Sequence, residues 1–299
     1  MHITGTRALL TALALVAAGY LWGWYLLERR RATGQSTPRG VDLLLGFVTD
    51  FFDTLGIGAF APTTAAFKLL RRVPDEQIPG TLNAGHAPPT FAEALIFIAA
   101  VTVDLTTLVS MILASMLGSW IGAGVVSRLP RRGVQWGMGL ALLVAAGLLF
   151  ANNVGWMPGG GEAIGLRGGW LVFAVAANFA LGALMTLGIG LYAPCLILVC
   201  LLGMNPLTAF PIMMGSCAFL MPVGALRFIR AGRYDVRAAI SLAVGGIPGV
   251  LVAAYVVKSM PIAWLRWLVV IVVLYASALM LGSAYAAGRH RPAYPGGAD

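Results

Sequence analysis

Four ionisable residues stand in sequence apolar enough for a membrane interior: Asp50 and Asp53 in "LLLGFVTDFFDTLG", His86 in "NAGHAPP" and Glu93 in "TFAEALIF". Ionisable groups at membrane depth mark ion paths and proton relays by default, and histidine changes charge near neutral pH. The chemistry they suggest is proton coupling. The rival reading for the two aspartates is an idle position near an aqueous helix end. Close by in sequence are small polar groups, Thr81 and Asn83 before His86, and Ser216 and Cys217 in "MMGSCAF". Hydroxyl, amide and thiol groups can donate to an oxyanion without burying a full positive charge. No catalytic set is read: there is no G-x-S-x-G, H-E-x-x-H or phosphate-loop pattern, and the three histidines are His2, His86 and His290. Cys195, Cys200 and Cys217 lack metal-finger spacing. The methionines of "PIMMGSCAFLMP" are soft donors but also ordinary core filler, so neither a metal nor a cofactor is assigned.

The elements that position these groups are announced by a repeated phrase. "TLGIGAFAP" runs from Thr54 to Pro62 and "TLGIGLYAP" from Thr186 to Pro194. Glycine costs a helix interior about 1 kcal/mol relative to alanine, and proline about 3. Gly56, Gly58 and Pro62, and likewise Gly188, Gly190 and Pro194, therefore mark breaks between helices. In a membrane, backbone freed by a break must find partners or line a cavity. Proline suits the first helical turn, so short helices should start near Pro62 and Pro194. Their amide ends, with Thr63 and Cys195 beside the prolines, would face the breaks as an anion site. Close helix packing through small residues is the bland alternative.

The phrase belongs to a longer duplication. At an offset of 132, Pro74 matches Pro206 and Pro79 matches Pro211; at 131, Phe97 matches Phe228, Asp104 matches Asp235, Gly118 matches Gly249 and Trp136 matches Trp267. Each half reads as five segments: 41–58, 61–72, 88–102, 104–127 and 134–151, then 169–188, 193–203, 210–229, 235–258 and 262–285. One helix over 8–27 precedes them; it has no cleavage site and closes on "ERRR", so it reads as retained. The organisation is then 1–40 N-terminal helix and loop, 41–151 first repeat, 152–168 linker, 169–288 second repeat and 289–299 tail. Asp104 and Asp235 fall at helix starts and read as caps.

Of the 299 residues 59% are hydrophobic and 10% charged, against about 25% charged in soluble domains. The class is an all-α polytopic membrane protein. The net charge of +9 is not a nucleic-acid signal, because the arginines sit at the ends of apolar runs, where they set orientation. Four arginines follow the first helix, whereas the linker has only Arg167. Lys68, Arg71 and Arg72 oppose an uncharged "LLGMNPLTAF", and an uncharged "AAVTVDL" opposes Arg227, Arg230, Arg233 and Arg237. Equivalent loops carry opposite bias, so the halves are read as inverted repeats, N-terminus outside and C-terminus inside. Inverted repeats with broken helices are typical of secondary transporters.

The paired breaks, the runs "GSWIGAGVVSRLP" and "GVLVAAYVVKSMP", and the segments "IPGTLNAGH" and "FPIMMGSCAFLMP" resemble the sulfite exporter TauE/SafE family, also called the toluene-sulfonate uptake permease group, over about residues 41–285. The N-terminal helix is set outside that pattern. The resemblance implies proton-coupled movement of sulfite, an organosulfonate or a related sulfur-containing anion across a bacterial cytoplasmic membrane. The site expected is Gly56, Gly58, Pro62, Thr63, Thr81, Asn83, Gly188, Gly190, Pro194, Cys195, Ser216 and Cys217 for the anion, with Asp50, Asp53, His86 and Glu93 for protons. Transport or channelling of another solute, a metal ion or a carboxylate, stays open; an enzyme is not expected. The partners expected are the small anion, protons and the bilayer; a homodimer stays open.

Overall fold

The computed structural model describes residues 2–31, 37–74, 76–126, 131–154, 161–185 and 190–289. The described residues form α1 (His2–Arg31), α2 (Gly40–Thr54), α3 (Phe60–Leu69), α4 (Ile78–Ala100), α5 (Leu105–Val126), α6 (Arg131–Asn153), α7 (Gly168–Met185), α8 (Tyr192–Leu201), α9 (Ala209–Ala231), α10 (Val236–Ser259) and α11 (Ile262–Arg289), with a 3-10 turn at Pro206–Thr208 before α9. Among the described residues, five helical stretches are long and apolar enough to cross a membrane: Thr4–Arg30, Gly168–Met185, Pro206–Ala231, Val236–Val257 and Ala263–Ala286.

The helices follow the expected segments except at α4, which begins at Ile78 rather than residue 88. Pro79 lies in its first turn, and the helix continues through Pro88 and Pro89. Pro88 has no N–H for the carbonyl one turn back, that of Ala84. The Tyr20 hydroxyl of α1 donates to that carbonyl at 3.0 Å. A side chain from a neighbouring helix thus meets a group that the proline frees, as a membrane interior requires.

The duplication is visible in the helix bounds. α3 and α8 are 132 residues apart at both ends; α4 and α9 are 131 apart at both ends. The one-residue slip therefore lies in the loops before α4 and α9, and Pro79 stands opposite Phe210 rather than Pro211. The same offset places Cys217 opposite His86 and Gly224 opposite Glu93.

Packing exchanges the halves. α2 lies against α10 and α7 against α5, while the equivalent helices α4 and α9 meet each other, as do α6 and α11. The two crossings use equivalent atoms. A Cβ on Gly249 would overlap the Phe47 carbonyl oxygen, and one on Gly118 would overlap that of Phe179. Small residues let these backbones touch.

Equivalent loops also fall at opposite ends of the molecule. At one end Arg39 pairs with Asp235 (3.6 Å) and Arg72 with Asp42 (2.9 Å), and the Asp235 N–H donates to Thr81 Oγ1 (2.9 Å). The Asp42 hydrogen bond holds the Arg72 guanidinium, in the loop after α3, above its ordinary pKa. At the other end the linker lies along the loop before α9: Asn205 donates from its N–H to the Ala163 carbonyl (2.9 Å), and Arg266 pairs with Glu162 (2.8 Å). The Asp104 N–H donates to the Ile164 carbonyl there (2.8 Å). Asp104 and Asp235 cap α5 and α10 as expected, accepting from the N–H groups of Thr107 and Ala238.

Candidate substrate and proton site

The first break is built by two glycines. α2 stops at Thr54, and Gly56 and Gly58 take φ of +94° and +90°, a region that side chains with a Cβ avoid. The chain reverses, and α3 begins at Phe60, with Pro62 in its first turn. The N–H at this helix start does not wait for a ligand. Asp53, on the last turn of α2, accepts from the Ala59 N–H at 2.7 Å. The second break ends in the same way at Tyr192, with Pro194 in the first turn of α8. The N-cap residue there, Leu191, offers no side-chain acceptor, and the position equivalent to Asp53 is Met185, which carries no carboxylate. Gly188 lies outside the described residues; Gly190 is exposed at the start of the described α8 segment.

The four ionisable candidates come together between the breaks, and all are buried. Asp50 Oδ1 lies 2.8 Å from His86 Nδ1, and His86 Nε2 lies 3.1 Å from Thr63 Oγ1. The Thr63 hydroxyl also reaches the Ala59 carbonyl at 2.8 Å. One hydroxyl hydrogen serves one acceptor. With Thr63 donating to the carbonyl, Nε2–H donates to Thr63, and the Nδ1···Oδ1 contact holds one further proton. Asp50 Oδ2 has no hydrogen-bond partner among the described residues; it faces Gly246 of α10, where a Cβ would overlap it. The Phe60 ring lies over His86, centroids 5.9 Å apart.

Glu93 spans the two breaks. Its Oε1 lies 2.7 Å from the hydroxyl of Thr54, the last residue of α2, and its Oε2 accepts from the hydroxyl of Tyr192, the first residue of α8, at 2.8 Å. Thr54 and Tyr192 were not singled out from sequence. A signal for Tyr192 was present: within the repeated phrase Phe60 stands where Tyr192 does, and the difference is a hydroxyl.

The anion candidates divide. Thr63 joins the proton cluster. Cys217 donates to Met185 Sδ at 3.8 Å, and Cys195 is buried on α8, at the position equivalent to Thr63. Ser216 lies 3.2 Å from Asn178 Nδ2, which also donates to the Met111 carbonyl at 2.7 Å, so it belongs to the α5–α7–α9 contact. Asn83 turns back to the Pro79 carbonyl (2.8 Å), and Thr81 joins α4 to the start of α10. Sequence proximity to His86 brought these two forward, but the helix turns them elsewhere.

A cavity of about 320 Å³ opens at the linker end, lined by Phe97, Thr102, Ile164, Asn205 and Thr208 among others. Phe97 stacks on Phe210, centroids 5.2 Å apart, and both rings are buried. Phe97 is one helical turn beyond Glu93, on the same face of α4.

A sequence model of the family described as "Sulfite exporter TauE/SafE" matches residues 2–149 and 170–298. No curated protein and no solved structure matches the chain. The match begins at residue 2, so it takes in α1, which sequence reading had set outside the family pattern. Spanning both halves and broken only near the linker, this match agrees with the duplicated helical fold, and the chain belongs to the TauE/SafE sulfite exporter family of membrane transporters.

Proposed function

We propose that the protein carries a small sulfur-containing anion, sulfite or an organosulfonate, across a bacterial cytoplasmic membrane by alternating access of its two halves, coupled to protons. One observation carries this reading: a buried set of ionisable groups, Asp50, His86 and Glu93, lies beside the first break, and Glu93 reaches from it to the first residue of α8. A group that must gain and lose a proton in the middle of a helix bundle serves vectorial movement better than it serves stability, since buried polar networks are costly unless fully satisfied. This reading seeks the anion near the described start of α8, at Tyr192 to Cys195, with Cys217 of α9 close by. The end bearing Arg39, Arg72 and Arg233 faces the cytoplasm. The Phe97–Phe210 stack lies toward the linker end and the ion pairs of Asp42 and Asp235 lie at the other.

The test is flux into proteoliposomes. Sulfite or ethanesulfonate uptake should exceed that of empty liposomes, respond to an imposed proton gradient and fall in Asp50→Asn. Uptake of neither anion, or uptake indifferent to the gradient, overturns the reading. Reporter fusions at residues 128–133 and 159–166 should fall on opposite sides of the membrane.

A further inference from the structure

Resting on the reading above, we infer that the Glu93 carboxyl occupies the seat of the transported anion, and that the anion displaces it only while Glu93 is protonated. Glu93 is the one candidate whose carboxyl touches both breaks, at Thr54 Oγ1 (2.7 Å) and Tyr192 Oη (2.8 Å). The two hydroxyls, one of them at the amino end of α8 that Tyr192 begins, are the donors an oxyanion needs. The corresponding donor at α3, the Ala59 N–H, is taken by Asp53. One break is therefore filled by its own chain, and the other is held by a side chain that can leave.

Hydrogen counting gives the protonation state of the placeholder. The Thr54 hydroxyl lies 2.8 Å from the Asp50 carbonyl as well as 2.7 Å from Glu93 Oε1. Thr49, Thr63, Thr64, Thr81 and Thr90 all donate to the carbonyl four residues back, and Thr54 has the same geometry. Its single hydrogen then goes to Asp50, and the hydrogen between Thr54 and Glu93 comes from Glu93. A protonated Glu93 satisfies every group: Oε1–H donates to Thr54, and Oε2 accepts from Tyr192. An ionised one leaves Thr54 with two acceptors and one hydrogen.

The titratable groups around Glu93 are Asp50 and Asp53 on α2, Tyr192 on α8 and Cys217 on α9, with His86 of α4 held on Asp50. Two of them are carboxylic acids. An anion arriving beside an ionised Glu93 would add a negative charge to a water-poor site, where like charges repel strongly. Neutral Glu93 can swing aside and yield Tyr192 and Thr54 to the anion. One anion thus travels with one proton retained on Glu93. Its equivalent in the second half, Gly224, has no side chain to do the same.

The experiment uses the full chain in proteoliposomes with ethanesulfonate, whose charge is constant between pH 5 and 8, and with sulfite. Wild-type KM for ethanesulfonate should rise as pH rises. Glu93→Gln keeps both hydrogen bonds without a titrating proton, so flux should persist with a KM flat over this range and no accompanying lumenal acidification. Tyr192→Phe should raise KM about tenfold or more, the loss of one hydrogen bond to a charged group, with kcat less affected. Thermal melts in detergent check that both variants fold, and ethanesulfonate-dependent stabilisation gives a second measure of affinity. A Glu93→Gln variant with wild-type pH dependence overturns the inference alone, as does a Tyr192→Phe variant of unchanged affinity. A variant that does not fold is replaced by Thr54→Val, held to the same KM criterion. A wild type that moves neither anion overturns both this inference and the function it rests on.

Discussion

The two halves share a backbone plan but not a chemistry. In the first, Asp50, Asp53, His86 and Thr63 surround the break; the equivalent positions in the second are Gly182, Met185, Cys217 and Cys195. Where Asp50 meets Gly246, Gly182 meets Ser115. Where His86 bonds to Asp50, Cys217 reaches Met185. A doubled scaffold has kept its helix crossings and divided its residue types: one half gathers ionisable groups, and the other has small and sulfur-bearing residues at the same positions. If both halves were mere packing, substitutions at equivalent positions would have equal effects. They should not.

The largest difference should appear at His86 and Cys217. Removing one partner of a buried charged pair costs about 3–5 kcal/mol, so His86→Ala should melt far below wild type and carry no proton-linked flux. Cys217→Ala, at the same place in the other half, should cost about 1 kcal/mol, the ordinary scale of a point substitution. Thermal melts and flux assays on the two variants decide the matter. Equal losses would mean that the proton-carrying half has no special role.

Met185→Asp sharpens the comparison from the other side. It places an acid where Asp53 stands in the first half and brings a carboxylate to the amino end of α8. A self-capped α8 has no vacancy for a substrate, and like charge beside Glu93 disfavours an arriving anion further. Ethanesulfonate flux should drop at least tenfold in protein that still runs as a single species on size exclusion. Flux near wild type would show that the amino end of α8 is not the seat.

Much of the fold was legible because its signals are local. Glycines and prolines punctuate the breaks, arginines mark one end of the bundle, and a repeat exposes the symmetry. The site was only half legible. Asp50, His86 and Glu93 could be named because a charge in apolar sequence must have a use. Tyr192 and Thr54 could not be ranked, since their hydroxyls matter only through a carboxyl that a different helix brings to them. Thr81 and Asn83 stood near His86 in sequence, yet helical rotation turns one to the start of α10 and the other to its own backbone. The unbroken run of α4 through Pro88 and Pro89 has no local signal, because the partner that meets the freed carbonyl is 64 residues away in α1.

The helix crossings are where the halves should behave alike. Gly118→Ala and Gly249→Ala each force a methyl group into a backbone carbonyl of the partner helix, and overpacking of this kind costs about 1–3 kcal/mol. The two variants should melt within about 1 kcal/mol of each other. A large disparity would show that the α2–α10 and α5–α7 contacts are equivalent in outline only.

The smallest effect tests an asymmetry outside the repeats. α1 has no counterpart in the duplication, and it packs on α4 and α9. Tyr20 is buried against Phe91 and Trp24, while the Trp24 indole donates to the Tyr234 hydroxyl at 3.0 Å. Tyr20 donates to the Ala84 carbonyl, whose helical donor Pro88 lacks. Tyr20→Phe keeps the ring and strands that carbonyl, at a cost of about 1–3 kcal/mol. Pro88→Ala restores the missing N–H, so the carbonyl then has its own partner. In a Pro88→Ala background Tyr20→Phe should therefore cost clearly less than in wild type, and the difference, read from a double-mutant cycle of melting free energies, should be about 1 kcal/mol. Additive losses would mean that Tyr20 acts through its ring contacts alone, and that α4 tolerates its paired prolines without help from α1.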